Sequence, residues 1–268
     1  MDPVIKKAFD ASLRGQSFAF ATVIEATPKG TPRKAGAKMA VLADGTIAGT
    51  IGGGRNEKAA IAECKKAIKT GRPTTATYNY FGREGESVCG GQMKVFIQPF
   101  AGQRHLIICG AGHIALPLSF LGKLLNFRLT IIDDRKEYAN KKRFPHADKI
   151  ICSRHADGLK TQPIDENTYI VVVTQGNEYD YECLKVAIKK EMTYLGVISS
   201  KAKRIKFFNR LKKDGISEKL FNTINIPTGL DIGAQTPEEI AISIAAEIIQ
   251  TANKDLMKSA KFIEKEKH

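Results

Sequence analysis

Five strand-forming residues, His105-Leu106-Ile107-Ile108-Cys109, run directly into Gly110-Ala111-Gly112-His113-Ile114-Ala115, after which the apolar spacing turns helical as far as Leu125. Few short sequences constrain a fold as tightly as a strand, a G-x-G-x-x-A turn and a helix in that order. The first glycine permits the sharp turn, the second lets a ligand approach bare backbone, and the small sixth residue lets the helix pack close to the strand. A second strand over 128–132 closes in Asp133-Asp134, about 20 residues on, where an acid commonly holds a ribose hydroxyl. Gly110, Gly112, Ala115 and Asp133 are therefore candidate nucleotide contacts, with His113 inside the turn facing a phosphate.

The plan repeats downstream. Strand-like runs at 149–152, 169–174 and 194–198 alternate with helical spacing at 181–190 and 201–214, which gives a parallel, doubly wound sheet over 105–268. Ligands on such sheets lie beyond the carboxyl ends of the strands, so Thr174-Gln175-Gly176-Asn177 and Ser199-Ser200-Lys201 are expected to line the crevice of Gly110. Thr174 and Gly176 join the candidate nucleotide contacts. Thr236-Pro237-Glu238-Glu239 carries a helix start with a capping box, followed by a stripe of Ile240, Ile244 and Ile248. Asp231, in the glycine-rich loop before it, reads as a residue that ties the loop by hydrogen bonds.

The first hundred residues follow a different rule and form a mixed α+β domain, 1–100, joined by a linker at about 98–104. Val4, Ile5, Ala8, Phe9 and Leu13 form one face of a short helix, and strands follow at 18–26, 38–42, 46–49, 74–80 and 92–99. Asp44-Gly45 turns a hairpin that delivers Gly49-Thr50-Ile51-Gly52-Gly53-Gly54-Arg55-Asn56-Glu57 to the end of a strand. Three consecutive glycines before a helix over 56–70 suit an anion, because unpaired N–H groups and the positive end of the helix dipole face whatever lies over them. A tight turn without a ligand is the alternative reading. Cys89, between a polar loop at 81–87 and Gly90-Gly91, is either a thiol biased toward thiolate by nearby amides and cations, or an inert strand-end cysteine. Cys64, mid-helix among alanines, reads as core.

Composition bounds the rest. With 268 residues and 43% hydrophobic content the chain suits two ordinary domains, and no apolar run or leader points to a membrane or to export, so a cytoplasmic protein is expected. Five cysteines without a close pair suggest reduced thiols. The net charge of +14 is spread over both parts of the chain with no aromatic-interleaved basic stripe, which favours solvated lysines over a nucleic-acid surface. His105, His146, His155 and His268 read as surface or loop residues, and the Lys/Glu-rich tail from 254 as a fraying helix end.

Several of these stretches together resemble one family, the xanthine dehydrogenase accessory factors (XdhC/CoxI). The likeness lies in Gly30-Thr31-Pro32-Arg33, Gly36-Ala37-Lys38-Met39, Gly49 to Gly54 with Glu57, and Cys89-Gly90-Gly91. It continues in Gly110 to Gly112, Asp133-Asp134-Arg135, Thr174 to Asp180 and Pro227 to Glu247. The resemblance implies a chaperone, not itself an enzyme, that receives the molybdenum cofactor, supports its sulfuration by a cysteine desulfurase and passes it to an apo molybdenum hydroxylase, with a homodimer as the assembly. On that reading Arg33, Gly52, Gly53, Gly54, Arg55, Glu57, Gly90 and Gly91 hold the cofactor and Cys89 contacts its molybdenum or relays sulfur. Asn177 and Ser199 stand where the family usually has His and Gly, and Asn cannot relay a proton near neutral pH. An NAD(P)-dependent oxidoreductase and a nucleotide-binding regulatory module are the alternatives.

Overall fold

The computed structural model describes residues 1–80 and 90–254, in two compact units that divide between Gln103 and Arg104. The loop expected over 81–87, Cys89 and the tail beyond 254 lie outside the described residues.

The N-terminal unit is built on an antiparallel sheet of order β3-β2-β1-β5-β4. Its strands are β1 Phe18–Ala26, β2 Lys38–Leu42, β3 Ile47–Gly49, β4 Thr74–Tyr80 and β5 Gly91–Phe100. Alternation along β1 separates its two faces. Ala19, Ala21 and Val23 meet Met93, Val95 and Ile97 under helix α2, Gly54–Thr70, which contributes Ala60, Cys64 and Ala67. Phe18 and Phe20 turn the other way, to Ala8 and Ala11 of helix α1, Pro3–Leu13, and Phe18 stacks on Phe100 at 4.9 Å. Helix α1 therefore presents Val4, Ala8 and Ala11 inward. Ile5, Phe9 and Leu13, expected on the buried face, are exposed, because the small alanine side is the one that lets the helix approach the sheet closely. The hairpin turn is as its Asp-Gly pair requires, with Thr46 N–H donating to Asp44 Oδ1 at 2.7 Å.

The C-terminal unit is a six-stranded, wholly parallel sheet of order β11-β10-β9-β6-β7-β8. The strands are β6 His105–Cys109, β7 Arg128–Asp133, β8 Lys149–Cys152, β9 Thr168–Val172, β10 Tyr194–Val197 and β11 Ile224–Asn225. The order is that of a dinucleotide-binding sheet, reversing direction between β6 and β9. Strands buried on both faces need two apolar sides, and β6 supplies them alternately. Leu106 and Ile108 pack under helices α3, Ala115–Leu124, and α7, Pro237–Ala252; Ile107 and Cys109 pack under α4, His155–Lys160, α5, Asn177–Ala187, and α6, Lys201–Lys213. His105 is buried rather than on the surface. Its Nδ1 accepts from Arg128 at 2.9 Å and its Nε2 lies 2.8 Å from Thr130 Oγ1. Burial, with Arg128 and Lys149 nearby, pushes its pKa down to about 3, so the ring stays neutral.

Helix α7 begins as its sequence demands. Thr236 Oγ1 accepts from Glu239 N–H at 3.2 Å while Glu239 Oε2 accepts from Thr236 N–H at 3.0 Å, closing the capping box. Thr236→Ala is expected to lower the stability of the C-terminal unit by about 1 kcal/mol, read as a lower urea midpoint at unchanged slope; an unchanged midpoint would remove the cap from the account.

Candidate functional site

At one end of the N-terminal sheet three glycine-bearing stretches close on one another. A Cβ at Gly91 would stand 2.3 Å from the Gly30 carbonyl, and one at Gly52 would stand 2.2 Å from Pro32 Cγ. The turn Gly30-Thr31-Pro32 thus lies directly on the start of β5 and on the loop before α2, which only residues without a Cβ allow. Thr27 fastens it, since its N–H donates to Gln92 O at 3.0 Å and its Oγ1 accepts from Gln92 N–H at 2.9 Å.

The glycine loop itself is not the open anion cradle that its sequence suggests. Glu57 folds back from α2 and its Oε2 accepts from Thr50 Oγ1, from Ile51 N–H at 3.0 Å and from Gly53 N–H at 3.1 Å. Gly52 N–H donates to Thr50 Oγ1 at 3.0 Å. The amides of residues 51 to 53 are thereby spent within the loop, on the Glu57 carboxylate and the Thr50 hydroxyl. Glu57, expected among the cofactor contacts, is the loop's internal cap. Burial acts to raise its pKa, but the hydrogen bonds from Thr50, Gly53 and Ile51 outweigh it and hold the carboxyl below its ordinary value.

The open chemistry of this unit lies beside that loop. A concavity of about 430 Å³ is lined by Pro28, Thr31, Pro32, Arg33 and Lys34 among others. Arg33, Lys34 and, on α2, Arg55 are exposed and form no ion pair among the described residues. Gly52, Gly53, Gly54 and Arg55 do not line the concavity with Arg33. Gly91 begins β5 against Gly30, Gly90 precedes it, and Cys89 lies outside the described residues.

In the C-terminal unit Gly110 has φ +108°, and a Cβ there would stand 2.4 Å from Val173 O, so the turn requires glycine. Gly112 faces open space and Ala115 is fully buried, each as the fingerprint needs. His113 is exposed. Asp133 differs from expectation. It has no exposed surface, and it accepts four hydrogen bonds, from Ala111 N–H at 2.7 Å, Arg135 N–H at 3.0 Å, Arg135 Nε at 2.9 Å and Arg135 Nη2 at 2.8 Å. A carboxylate has about four lone-pair positions, so none remains for a ribose hydroxyl. Asp133 positions the turn. Burial alone would raise its pKa; the bonds from Arg135 and Ala111, with His155 nearby, hold it far below the carboxylate range. The same saturation bears on the group Asp133, Asp134 and His155, whose ligand atoms lie within 4.8 Å of one another: Asp133 has no lone pair left for an ion. His155 is 3% exposed, not a surface residue, and its Nε2 lies 3.7 Å from Asp133 Oδ2 with neither ring nitrogen hydrogen-bonded.

A cleft of about 520 Å³ opens instead past the ends of β9 and β10, lined by Thr174, Gly176, Asn177, Asp180, Ser199 and Lys203 among others. Thr174 and Gly176 are where the sequence puts them, while Gly110 and Gly112 do not line this cleft. Asp180 and Lys203 were not singled out from sequence. An acid on the apolar face of α5, beside buried Tyr181, Cys183 and Leu184, is the signal for the first; nothing distinguishes Lys203 from the other lysines of α6.

Comparison with known proteins places these features in context. Residues 106–248 match a family model described as the XdhC Rossmann domain, and residues 11–79 one described as the XdhC and CoxI family. YqeB of Escherichia coli (strain K12), an uncharacterized protein, is 33% identical over 249 residues, covering 91% of this chain and 45% of its own length. A Bacillus subtilis (strain 168) protein, named as a probable xanthine dehydrogenase component, is 31% identical over 157 residues, 59% of this chain and 46% of that protein. The chain spans about half the length of these two relatives. A crystal structure titled as a xanthine dehydrogenase from Bacillus halodurans superposes with a TM-score of 0.52 at 22% identity, over 95% of this chain and 96% of that one, which shows a shared fold.

Glu57 provides a test of the internal cap. With its pKa depressed, the stabilisation is present above the ordinary value of 4.5 and is lost as pH falls through the folded value. Unfolding of the N-terminal unit at pH 7 and pH 3 is expected to show Glu57→Gln less stable than the parent by about 1 to 3 kcal/mol at pH 7, with the difference shrinking in acid. A pH-independent difference would contradict the cap.

Proposed function

The chain belongs to the XdhC and CoxI family, and on that premise we propose that it is a maturation factor for a molybdenum hydroxylase of the xanthine dehydrogenase type. The observation that carries this reading is the convergence of the Gly30–Pro32 turn, the Gly52 loop and Gly91 at one end of the N-terminal sheet, beside three exposed cations without an ion pair among the described residues. The cargo is the molybdenum cofactor, a pterin with a phosphate and a sulfur-bound metal. Guanidinium groups suit its phosphate because they donate two charge-assisted hydrogen bonds at once. Arg33 and Arg55 take that role, and Cys89, next to Gly90, supplies a thiol for the metal end.

In this reading the protein works in the cytoplasm as a homodimer. It receives the cofactor, holds it while a cysteine desulfurase provides the terminal sulfur, and delivers it to the apo hydroxylase. No helix among the described residues is long and apolar enough to cross a membrane, which accords with that setting. Occupation of the Ile51 and Gly53 amides by Glu57 shifts the weight of phosphate binding onto the arginines.

A second reading, of the C-terminal unit alone, is that it binds NAD(P) or another nucleotide. Its strand order and the positive φ of Gly110 favour it.

Protein purified from cells that make molybdopterin is expected to retain the pterin, measured by fluorescence after acid release. The double variant Arg33→Ala, Arg55→Ala is expected to retain about tenfold less or lower still, the loss of charged hydrogen bonds to a phosphate. Equal pterin content in both proteins would refute the assignment.

A further inference from the structure

The cleft past β9 and β10 combines features that no dinucleotide fingerprint explains. Asp180 is 3% exposed yet lines it. Its Oδ1 accepts from Thr174 Oγ1 at 2.5 Å and from Thr174 N–H at 3.3 Å, and its Oδ2 accepts no hydrogen bond among the described residues. A buried carboxylate with one oxygen spent on its own loop and the other unpartnered in a cavity is an acceptor set for a ligand's donor. Burial raises the Asp180 carboxyl above its ordinary value, against the bonds from Thr174 and the fields of Lys203 and His155.

The lining also carries a cation. Lys203 lines the cleft and forms no ion pair among the described residues, and the first turn of α6 has no acidic residue to offset it. Both α5 and α6 begin at the cleft, α5 at Gly176 without a side-chain cap and α6 at Ser200, whose Oγ accepts from Lys203 N–H at 3.3 Å and leaves the earlier amides of that turn open. Gln175, Asn177 and Ser199 add short polar side chains, and the lining holds no aromatic ring on which a base would stack. The acceptor and the cation thus share one polar cavity of about 520 Å³.

We propose that this cleft binds the ribose phosphate portion of a nucleotide, with the phosphate on Lys203 and the helix starts and a sugar hydroxyl donating to Asp180 Oδ2. The proposal deepens the nucleotide reading of the C-terminal unit and rests on it. It transfers to Asp180 the sugar contact that Asp133, saturated by Ala111 and Arg135, cannot make.

Isothermal titration of the full chain with ribose 5-phosphate, inorganic phosphate and NADH tests it. Ribose 5-phosphate is expected to bind saturably and more tightly than inorganic phosphate. Lys203→Met is expected to weaken both by about tenfold or more, the cost of a lost charged contact. Asp180→Asn keeps an oxygen for Thr174 but puts an amide where Oδ2 stood, so it is expected to bring ribose 5-phosphate down to the affinity of inorganic phosphate. No saturation of the parent by roughly 10 mM, or affinities unmoved by Lys203→Met, would overturn the proposal. Tight NADH binding indifferent to Lys203→Met would overturn it too while leaving the nucleotide reading of the Gly110 turn intact.

Discussion

The bond from Ala111 N–H to the sunken carboxylate of Asp133 fixes the ligand-facing edge of the C-terminal unit. Everything near that edge is arranged around it. Arg135 grips both oxygens of the same carboxylate and lies 4.0 Å over the Tyr138 ring, while Arg143 Nε donates to Ala111 O at 3.2 Å. The glycine turn is thus held from its amide and its carbonyl sides. A buried carboxylate is tolerable only when such partners replace the water it has lost. Removing one of them leaves the other uncompensated, so Asp133 and Arg135 behave as a single structural device.

Glu57 repeats the solution in the N-terminal unit, on an unrelated sheet. A loop whose backbone must be bare, because Pro32 lies against Gly52, turns its amides inward onto a carboxylate from the first turn of the following helix. The shared logic is that glycine turns at strand ends leave donors that cost free energy when unpaired, and a side chain close by is the surest acceptor. In both units the remaining polar chemistry is then displaced sideways: to Arg33 and Lys34 in the one, and to Asp180 and Lys203 in the other.

Much of the architecture was legible in the sequence, because it rests on short-range patterns. The alternation through β6, the turn at Gly110, the hairpin at Asp44-Gly45 and the capping box at Thr236 each follow from local chemistry. The parallel sheet followed from their order, whereas the family was legible only as a resemblance carried by motifs such as Gly30-Thr31-Pro32-Arg33 and Gly49 to Gly54. Less legible was which way donors point. Nothing in Gly52-Gly53-Gly54 reveals that Glu57 will return to accept from the loop, and nothing in Asp133 reveals that Arg135 will saturate it. The buried face of α1 departs from its apolar pattern for a related reason: large apolar residues suggest burial, yet the close approach of helix to sheet selects Val4, Ala8 and Ala11. His155 and His105 were likewise hidden, since their burial depends on contacts made only in the folded chain, of α4 with β7 for His155 and of β6 with β7 for His105.

The central claim is that both glycine turns are closed by the chain's own carboxylates and that ligand phosphate binds beside them. Backbone amide ¹H–¹⁵N spectra recorded during titration with ribose 5-phosphate test it most directly. Shifts at Gly176, Asn177 and Lys203, with Ile51, Gly53 and Ala111 unmoved, are the expected result. Saturable shifts at Gly52 to Gly54 or at Ala111 and Gly112, with the α5 and α6 starts silent, would contradict it.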